Sequence, residues 1–342
     1  MGTKRLIFYC FLMGFMTSLR AFSQVPLDPS LVLGTGFNNQ VLALEQEPGG
    51  AMVVGGSFTD YNGTTANRLA RLLPAGGIDP TFAVGTAANG TIRDIESDAQ
   101  GRLVLVGNFT SFNGTAANRI VRLLADGSRD TSFQIGTGFN REVWTVTMLP
   151  SGKIAVGGAF DSYQGVSSPK MIVLMPNGSI DTSFSVGAGF TPSNTFRRVN
   201  NIVVDAANRF LVAGDFTDYN GTTNVNRIVR LLSNGNRDTS FAVGSGANAE
   251  VRAVAIQSDG RILLAGLFNQ LNGISTSRMV RLLPNGAVDA TFNTGSGFDN
   301  PTGLSSSTNH KLLLLADGRI VVGGSFAGYQ GVNSGKLVVL TP

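Results

Sequence analysis

The sequence predicts an all-β fold, a six-bladed β-propeller of four-stranded antiparallel blades. Three observations carry this: a pattern that recurs six times, short strand-like runs with no helical period, and glycine turns at fixed offsets. The pattern is clearest from Val251 to Phe292. Alternating apolar residues (Val251, Ala253, then Val254 and Ile256) lead to a turn at Asp259-Gly260, and RILLAGLF then runs to Phe268. Both runs are too short for a stable helix and rich in β-branched residues. A polar loop with Asn272-Gly273 precedes SRMVRLL, a turn at Asn285-Gly286 and the short segment Asp289 to Phe292. Asn-Gly and Asp-Gly tolerate the positive φ angles of tight hairpins, so a copy reads as a four-stranded meander.

The first-strand positions Val41, Ile92, Val143, Val199, Val251 and Asn309 stand at one constant spacing from the second-strand aromatics Phe58, Phe109, Phe160, Phe216, Phe268 and Phe326. A period of about fifty residues with four short strands and no helix is a propeller signature, because a single blade cannot bury both of its faces. The segment D-x-[ST]-F closes five copies, at Asp79, Asp130, Asp181, Asp238 and Asp289, but the sixth runs out at Leu340 without one. Its counterpart stands near the amino terminus, where Asp28 to Phe37 matches Asp130 to Phe139 with Leu31 in place of Phe. The expectation is one domain over residues 24–342, with 24–40 supplying the closing strand of the last blade and removing an exposed edge.

Residues 1–23 read as a secretory signal peptide: Lys4 and Arg5 precede the apolar run Leu6 to Met16, and Ala21-Phe22-Ser23 offers a cleavage site. The run is too short to span a bilayer, and no second one follows, so no transmembrane segment is expected. The only cysteine, Cys10, lies in this leader, which leaves the mature chain without thiol or disulfide. Removing Lys4, Arg5 and Arg20 from 26 basic residues leaves 23 against 22 acidic, so the formal charge falls from +4 to +1. That balance argues against a nucleic-acid partner. The connections into the fourth and sixth copies, Phe190 to Arg198 and Phe298 to Asn309, are longer than their counterparts. Both join a blade's outer strand to the next inner strand, so both fall on one rim, and insertions on one face of an array mark the working face.

The residues D-G-[KR]-I-x-[LV]-x-G-x-F (Asp259 to Phe268, Asp317 to Phe326), N-R-I-V-R-L-L (Asn118 to Leu124) and D-T-S-F (Asp130 to Phe133) resemble the delta-60 repeat of bacterial secreted and surface proteins. The resemblance covers essentially the whole mature chain. It implies a propeller in a secreted, periplasmic or cell-surface setting and carries no general activity. The chain departs from arrays that precede a carboxy-terminal sorting domain, since it ends with its last repeat at Pro342.

Two charged sets recur with the repeat: Arg68, Arg119, Lys170, Arg227, Arg278 and Lys336, and Asp28, Asp79, Asp130, Asp181, Asp238 and Asp289. Either they form rings for a polyanion or metal, or each cation pairs with an aspartate and serves the blade; residues repeated in every blade favour structural ion pairs. Arg71, Arg122, Arg230 and Arg281, replaced by Val173 and Val339 in the other copies, read as solvated strand faces. The repeated phenylalanines read as core. Sequons at Asn62, Asn89, Asn108, Asn113, Asn177 and Asn220 read as by-products of turn composition.

Positions that vary within a constant frame are the better candidates for function. The second position of the first strand reads Leu42, Arg93, Trp144, Asn200, Arg252 and His310, at the mouth of the expected central channel. Arg93 and Arg252 would donate to an anionic or sugar-like ligand and Trp144 would stack on it, beside Asn200 and His310. The bland alternative is a polar, water-filled mouth. Asp94 or Glu96 with His310 would be the acid/base pair of an extracellular hydrolase or lyase, but no G-x-S-x-G elbow is present, and one histidine makes no histidine cluster for a metal. The reading is therefore a secreted or surface binding module for an unknown protein or polysaccharide partner, with no catalytic residue, metal or cofactor assigned. A purely structural surface-layer element is the remaining alternative.

Overall fold

The apolar runs of the repeat fold as strands whose side chains are buried between successive sheets. A computed structural model describes residues 34–191, 197–299, 311–324, 326–333 and 336–341. The leader, Asp28, the closing segment as far as residue 33, the middles of both long connections and His310 lie outside the described residues. Inner strands Val41–Gln46, Ile92–Ser97, Val143–Met148, Val199–Val204 and Val251–Ile256 pair antiparallel with middle strands Met52–Gly56, Leu103–Gly107, Ile154–Gly158, Phe210–Gly214 and Ile262–Gly266. The middle strands pair in turn with outer strands Leu69–Leu72, Ile120–Leu123, Met171–Leu174, Ile228–Leu231 and Met279–Leu282. In the sixth repeat the same order is Lys311–Leu314, Ile320–Gly323, Leu337–Leu340. Each of the first five middle strands is buried at every residue. That is why they read as continuous apolar runs rather than as alternation.

Consecutive inner strands lie beside one another in chain order, from Val41–Gln46 through to Lys311–Leu314. The core lies between the sheets and is anchored by the repeated phenylalanines. Phe58, Phe109, Phe160, Phe216 and Phe268 are fully buried, each stabilising the fold by about 1.5–3 kcal/mol relative to exposure. Lead-in phenylalanines extend these clusters: Phe139 lies 4.4 Å from Phe160 and 4.5 Å from Tyr163 between ring centroids.

The expected fourth strand is not a strand. Among the described residues each sheet of this set has three strands, and the residue just before the D-x-[ST]-F segment touches the outer strand through one bridge: Leu72 to Ile78, Leu123 to Arg129, Leu174 to Ile180, Leu231 to Arg237 and Leu282 to Val288. The aspartate ends the ladder. Asp130 Oδ1 accepts from both the amide (2.9 Å) and the hydroxyl (2.6 Å) of Ser132, folding the chain into a local turn instead of extending it. The chain then crosses to the neighbouring repeat, where the Gln134 amide donates to the Asn177 carbonyl at 2.9 Å. The polar loop after the middle strand also gains structure, in five repeats a hairpin such as Asp60–Tyr61 with Thr64–Thr65, while in the fourth Asp218–Tyr219 pairs with Phe190–Thr191.

The recurring charges pair differently from the sequence expectation. The partner of four of the five described aspartates is an outer-strand arginine: Arg71–Asp79 at 2.8 Å, Arg122–Asp130 at 2.7 Å, Arg230–Asp238 at 2.7 Å and Arg281–Asp289 at 2.8 Å. Arg122, Arg230 and Arg281 are buried, so the reading of these residues as solvated faces is corrected. Each guanidinium also lies 4.5–4.7 Å from the centroid of the motif phenylalanine: Phe82, Phe133, Phe241 or Phe292. Three of them reach the next repeat as well, Arg122 donating to the Pro176 carbonyl, Arg71 to the Ala125 carbonyl and Arg230 to that of Pro284, the last two at 2.6 Å. The third repeat has Val173 in place of the arginine, and Lys153 supplies the charge to Asp181 at 2.7 Å. Spacing along the chain does not reveal these partners, because the fold sets which side of the strand faces the segment.

The set Arg68, Arg119, Lys170, Arg227, Arg278 and Lys336 has another role. All six residues have φ between 63° and 72°, in the left-handed region uncommon for residues other than glycine, at the entry to the outer strand. Arg119 donates to the Phe139 carbonyl at 2.9 Å, and the fully buried Lys170 ammonium donates to Asp161 at 2.7 Å and to the Ala159 carbonyl at 3.1 Å. Arg227 reaches Asp215 at 3.9 Å.

Candidate functional site

The candidate positions owe their placement to a β-bulge. In each of the first five inner strands the pairing skips the second residue: Val41 faces Gly56 and Ala43 faces Gly55, with the same shift at Ile92/Asp94, Val143/Thr145, Val199/Asn201 and Val251/Ala253. The skipped residues are Leu42, Arg93, Trp144, Asn200 and Arg252. A bulged residue is unpaired, and its side chain is aimed away from the regular alternation. Glycine makes the bulge possible. A Cβ on Gly107, Gly158, Gly214 or Gly266 would collide with the carbonyl oxygen of Thr91, Glu142, Arg198 or Glu250, the residue just before the inner strand.

Four of the five described positions join one network. Arg93 donates to Glu142 at 3.1 Å, and its guanidinium carbon lies 3.8 Å from the centroid of the Trp144 ring. Arg198 lies over the same ring at 4.1 Å. Arg198 also donates to Asn200 at 2.8 Å and to Glu250 at 2.6 Å. The Asn200 amide donates to Glu250 and to the Val251 carbonyl, both at 2.9 Å. Arg252 meets the other Glu250 oxygen at 2.9 and 3.0 Å. Leu42, in the first repeat, takes no part in these bonds, and the placement of His310 is not described.

The electrostatics are those of crowded guanidiniums. Burial pushes the Arg93 pKa down, Glu142 opposes that, and the like charge of Arg198 adds to it. Alongside, Asp215 binds Arg197 at 2.7 Å; burial raises its pKa, Arg197 lowers it and Glu250 raises it further. The indole Nε1 of Trp144 and Nε of Arg93 are both buried without a hydrogen-bond partner among the described residues.

Three members of the network, Glu142, Arg198 and Glu250, escaped the sequence reading. They occupy the position before the strand, which reads Gln40, Thr91, Glu142, Arg198 and Glu250. It varies as the second position does, and that variation was the available signal. The expected division of labour also changes: Trp144 carries two guanidiniums rather than an open stacking face. Asp94, considered as half of an acid/base pair, accepts the Val146 amide of the next inner strand at 3.1 Å, and Asn201 does the same for Val254 at 2.9 Å. Both pin adjacent repeats together. Among the described residues no group of histidine, cysteine, aspartate and glutamate is arranged to hold a metal ion, and no helix is long and apolar enough to cross a membrane.

Sheets without helices, stacked in chain order with a candidate site at the inner-strand starts, define a β-propeller. The family described as "Domain of unknown function (DUF5122) beta-propeller" matches residues 48–82, 100–133, 149–184, 208–241, 257–292 and 315–342. These stretches cover more than half of the chain, which belongs to this family. No curated protein matches it in sequence. Among solved structures it is similar to the extracellular domain of BT4673 from B. thetaiotaomicron, with a TM-score of 0.55 at 11% identity over 91% of this chain and 34% of that one. Virginiamycin B lyase from Staphylococcus aureus gives a TM-score of 0.50 at 11% identity over 90% of this chain and 87% of the lyase. PorZ, a surface component of the type-IX secretion system of Porphyromonas gingivalis, gives 0.48 at 14% over 91% and 40%. At these identities the likeness is one of fold.

Proposed function

We propose that the protein is a secreted or cell-surface binding module of the delta-60 type, which takes a protein or carbohydrate ligand at the bulge cluster on the rim bearing the two long connections. One observation carries this reading. The positions that vary from repeat to repeat join in a single network of arginines, carboxylates and one indole, although the frame does not require any of these side chains. An extracytoplasmic setting follows from the leader-like residues 1–23, and the fold is shared with an extracellular domain. The test is capture of glycans and proteins by the secreted chain and by the triple variant Arg93→Ala, Trp144→Ala, Arg252→Ala. A ligand bound equally by both, with the variant folded, would remove the site from this rim.

The ring that presents the site is, on the same reading, six blades closed by residues 24–40. Leu44 supports closure: it is 37% exposed, while its counterparts Ile95, Val146, Ile202 and Val254 are at most 4% exposed. In the earlier sheets such residues pack on the small penultimate residue of the preceding middle strand, as Ile95 does on Gly55 and Ile202 on Gly157. Gly323 is the sixth-sheet equivalent that would receive Leu44. Val339 and Arg319 stand where Val173 and Lys153 stand in the third repeat, so on this reading Asp28 would pair with Arg319. Deleting residues 24–36 should lower the melting temperature, and an unchanged melt would break the closure.

A further inference from the structure

We propose that the outer edge of the first repeat is a pH-sensitive latch: one arginine there serves two buried carboxylates, and the first sheet grips the second more firmly when Glu47 carries a proton. This edge differs from the others by one missing cation. In the second, fourth and fifth repeats the residue just before the middle strand is an arginine that pairs with a turn aspartate and also approaches the edge aspartate. Arg102 meets Asp98 at 2.6 Å and Asp130 at 3.9 Å, Arg209 meets Asp205 at 2.7 Å and Asp238 at 3.4 Å, and Arg261 meets Asp259 at 2.5 Å and Asp289 at 3.3 Å. With Arg122, Arg230 and Arg281, two guanidiniums face two carboxylates at each of these edges. In the third repeat Lys153 faces Asp181, and Leu149 stands where a turn carboxylate would. The first repeat has Ala51 at the arginine position yet keeps a carboxylate, Glu47.

Arg71 is committed to Asp79. Its Nε donates to Asp79 at 2.8 Å, its Nη1 to the Ala125 carbonyl of the second repeat at 2.6 Å, and its Nη2 to the Thr81 hydroxyl at 3.4 Å. Asp79 also accepts from the Thr81 amide at 2.8 Å and hydroxyl at 2.7 Å. These bonds hold its pKa below the ordinary carboxylate value, so Asp79 stays charged. The Glu47 carboxylate is left 3.6 Å from Nη1, too far for a hydrogen bond. The side chains of Arg71, Glu47 and Asp79 are only 14%, 15% and 10% exposed. Burial raises the Glu47 pKa; Arg71 opposes that, and the like charges of Asp79 and Glu45 add to it. Glu45 is itself held by the Ser97 amide and hydroxyl, and Asp126 in the turn of the second repeat draws on Arg71 as well.

The folded Glu47 value thus lies above the unfolded 4.5. Its favourable contribution is complete below the unfolded value and is lost as pH rises through the folded one. Arg71 carries that loss to the Ala125 turn, and so to the contact between the first two sheets. The second repeat has the same contacts with its second guanidinium in place, which makes it an internal reference.

Hydrogen exchange of the full chain, followed by mass spectrometry and corrected for intrinsic rates, tests the latch at about pH 4.5 and about pH 7. Peptides covering Met52–Gly56 and Leu69–Leu72 should lose protection by at least about threefold at the higher pH, while those covering Leu103–Gly107 and Ile120–Leu123 hold theirs. Glu47→Gln should abolish the difference by keeping the first repeat protected at pH 7. Ala51→Arg, which copies the second repeat, should raise protection at pH 7 as well. Equal protection of the wild type at both pH values, or a pH dependence that survives Glu47→Gln, would overturn the proposal. Thermal melts give a second reading: Glu47→Gln should raise the midpoint at pH 7 and leave it unchanged at pH 4.5. A midpoint lowered at pH 7 would mean that Arg71 needs the Glu47 charge, and the latch would fall.

Discussion

Along the outer edge of the sheets, Arg122 binds Asp130 and covers Phe133, and Arg230 and Arg281 repeat the same contacts with Asp238 and Phe241 and with Asp289 and Phe292. At the inner-strand bulges the backbone is equally regular, yet the side chains run from leucine through arginine, tryptophan and asparagine back to arginine. One backbone repeat thus carries a recurring edge and variable bulges. The edge recurs because Arg71, Arg122 and Arg230 each join their own repeat to the next, so their loss is felt by two blades. The bulges vary because a bulged residue leaves the ladder, and the frame places no demand on its side chain.

The comparison breaks most readily at Arg122. Arg122→Ala would leave the buried Asp130 with only Arg102, 3.9 Å away, and chemical denaturation should show a loss of about 3–5 kcal/mol. A loss below about 1 kcal/mol would mean that the edge contact is an ordinary surface pair. The third repeat offers a sharper test, since a half-exposed lysine there replaces the buried arginine. Lys153→Ala should cost about 1–2 kcal/mol, and adding Val173→Arg should recover part of it by restoring the stack, here on Phe184. No recovery would show that the edge depends on its blade.

Acid provides the next effect. The Thr291 hydroxyl and amide, with Arg281, hold the Asp289 pKa at about 2 against the ordinary 3.8, although burial opposes them. Because the folded value lies below the unfolded one, its contribution is complete above about pH 4 and is lost as pH falls towards 2. Asp289→Asn should flatten the stability profile in that window, which a pH series of thermal melts would detect. The smallest effect belongs to the bulges. Leu42→Arg should change stability by no more than about 0.5 kcal/mol, and a larger loss would show that the frame does constrain the bulges.

Much of the fold was legible because backbone conformation is written locally. Asn-Gly and Asp-Gly mark the hairpins, the spacing from Val251 to Phe268 recurs in every copy, and the phenylalanines are buried as their position implies. The D-x-[ST]-F segment was legible as a recurring element but not as what it is. Whether it extends a ladder or turns away depends on which group Asp130 accepts from. The second position of the inner strand was visible as variable, and four of those residues lie in one network. Glu142, Arg198 and Glu250 went unread because they stand just before the strands, which begin at Val143, Val199 and Val251 as expected, and only the contacts between successive sheets bring them into the network.

The sequence alone determined the number of repeats, their turns, their strand order and the residues that fill the core, since each depends on neighbours a few positions away. The tertiary structure decided which charges meet. Arg71 and Arg68 stand three positions apart with the same charge, yet only Arg71 reaches Asp79, because the left-handed backbone at Arg68 turns that residue out of the strand's alternation. Likewise, Arg93 and Arg198 meet over Trp144 only because successive sheets set distant segments side by side. Contacts across that gap have no fixed spacing along the chain, so packing alone reveals them.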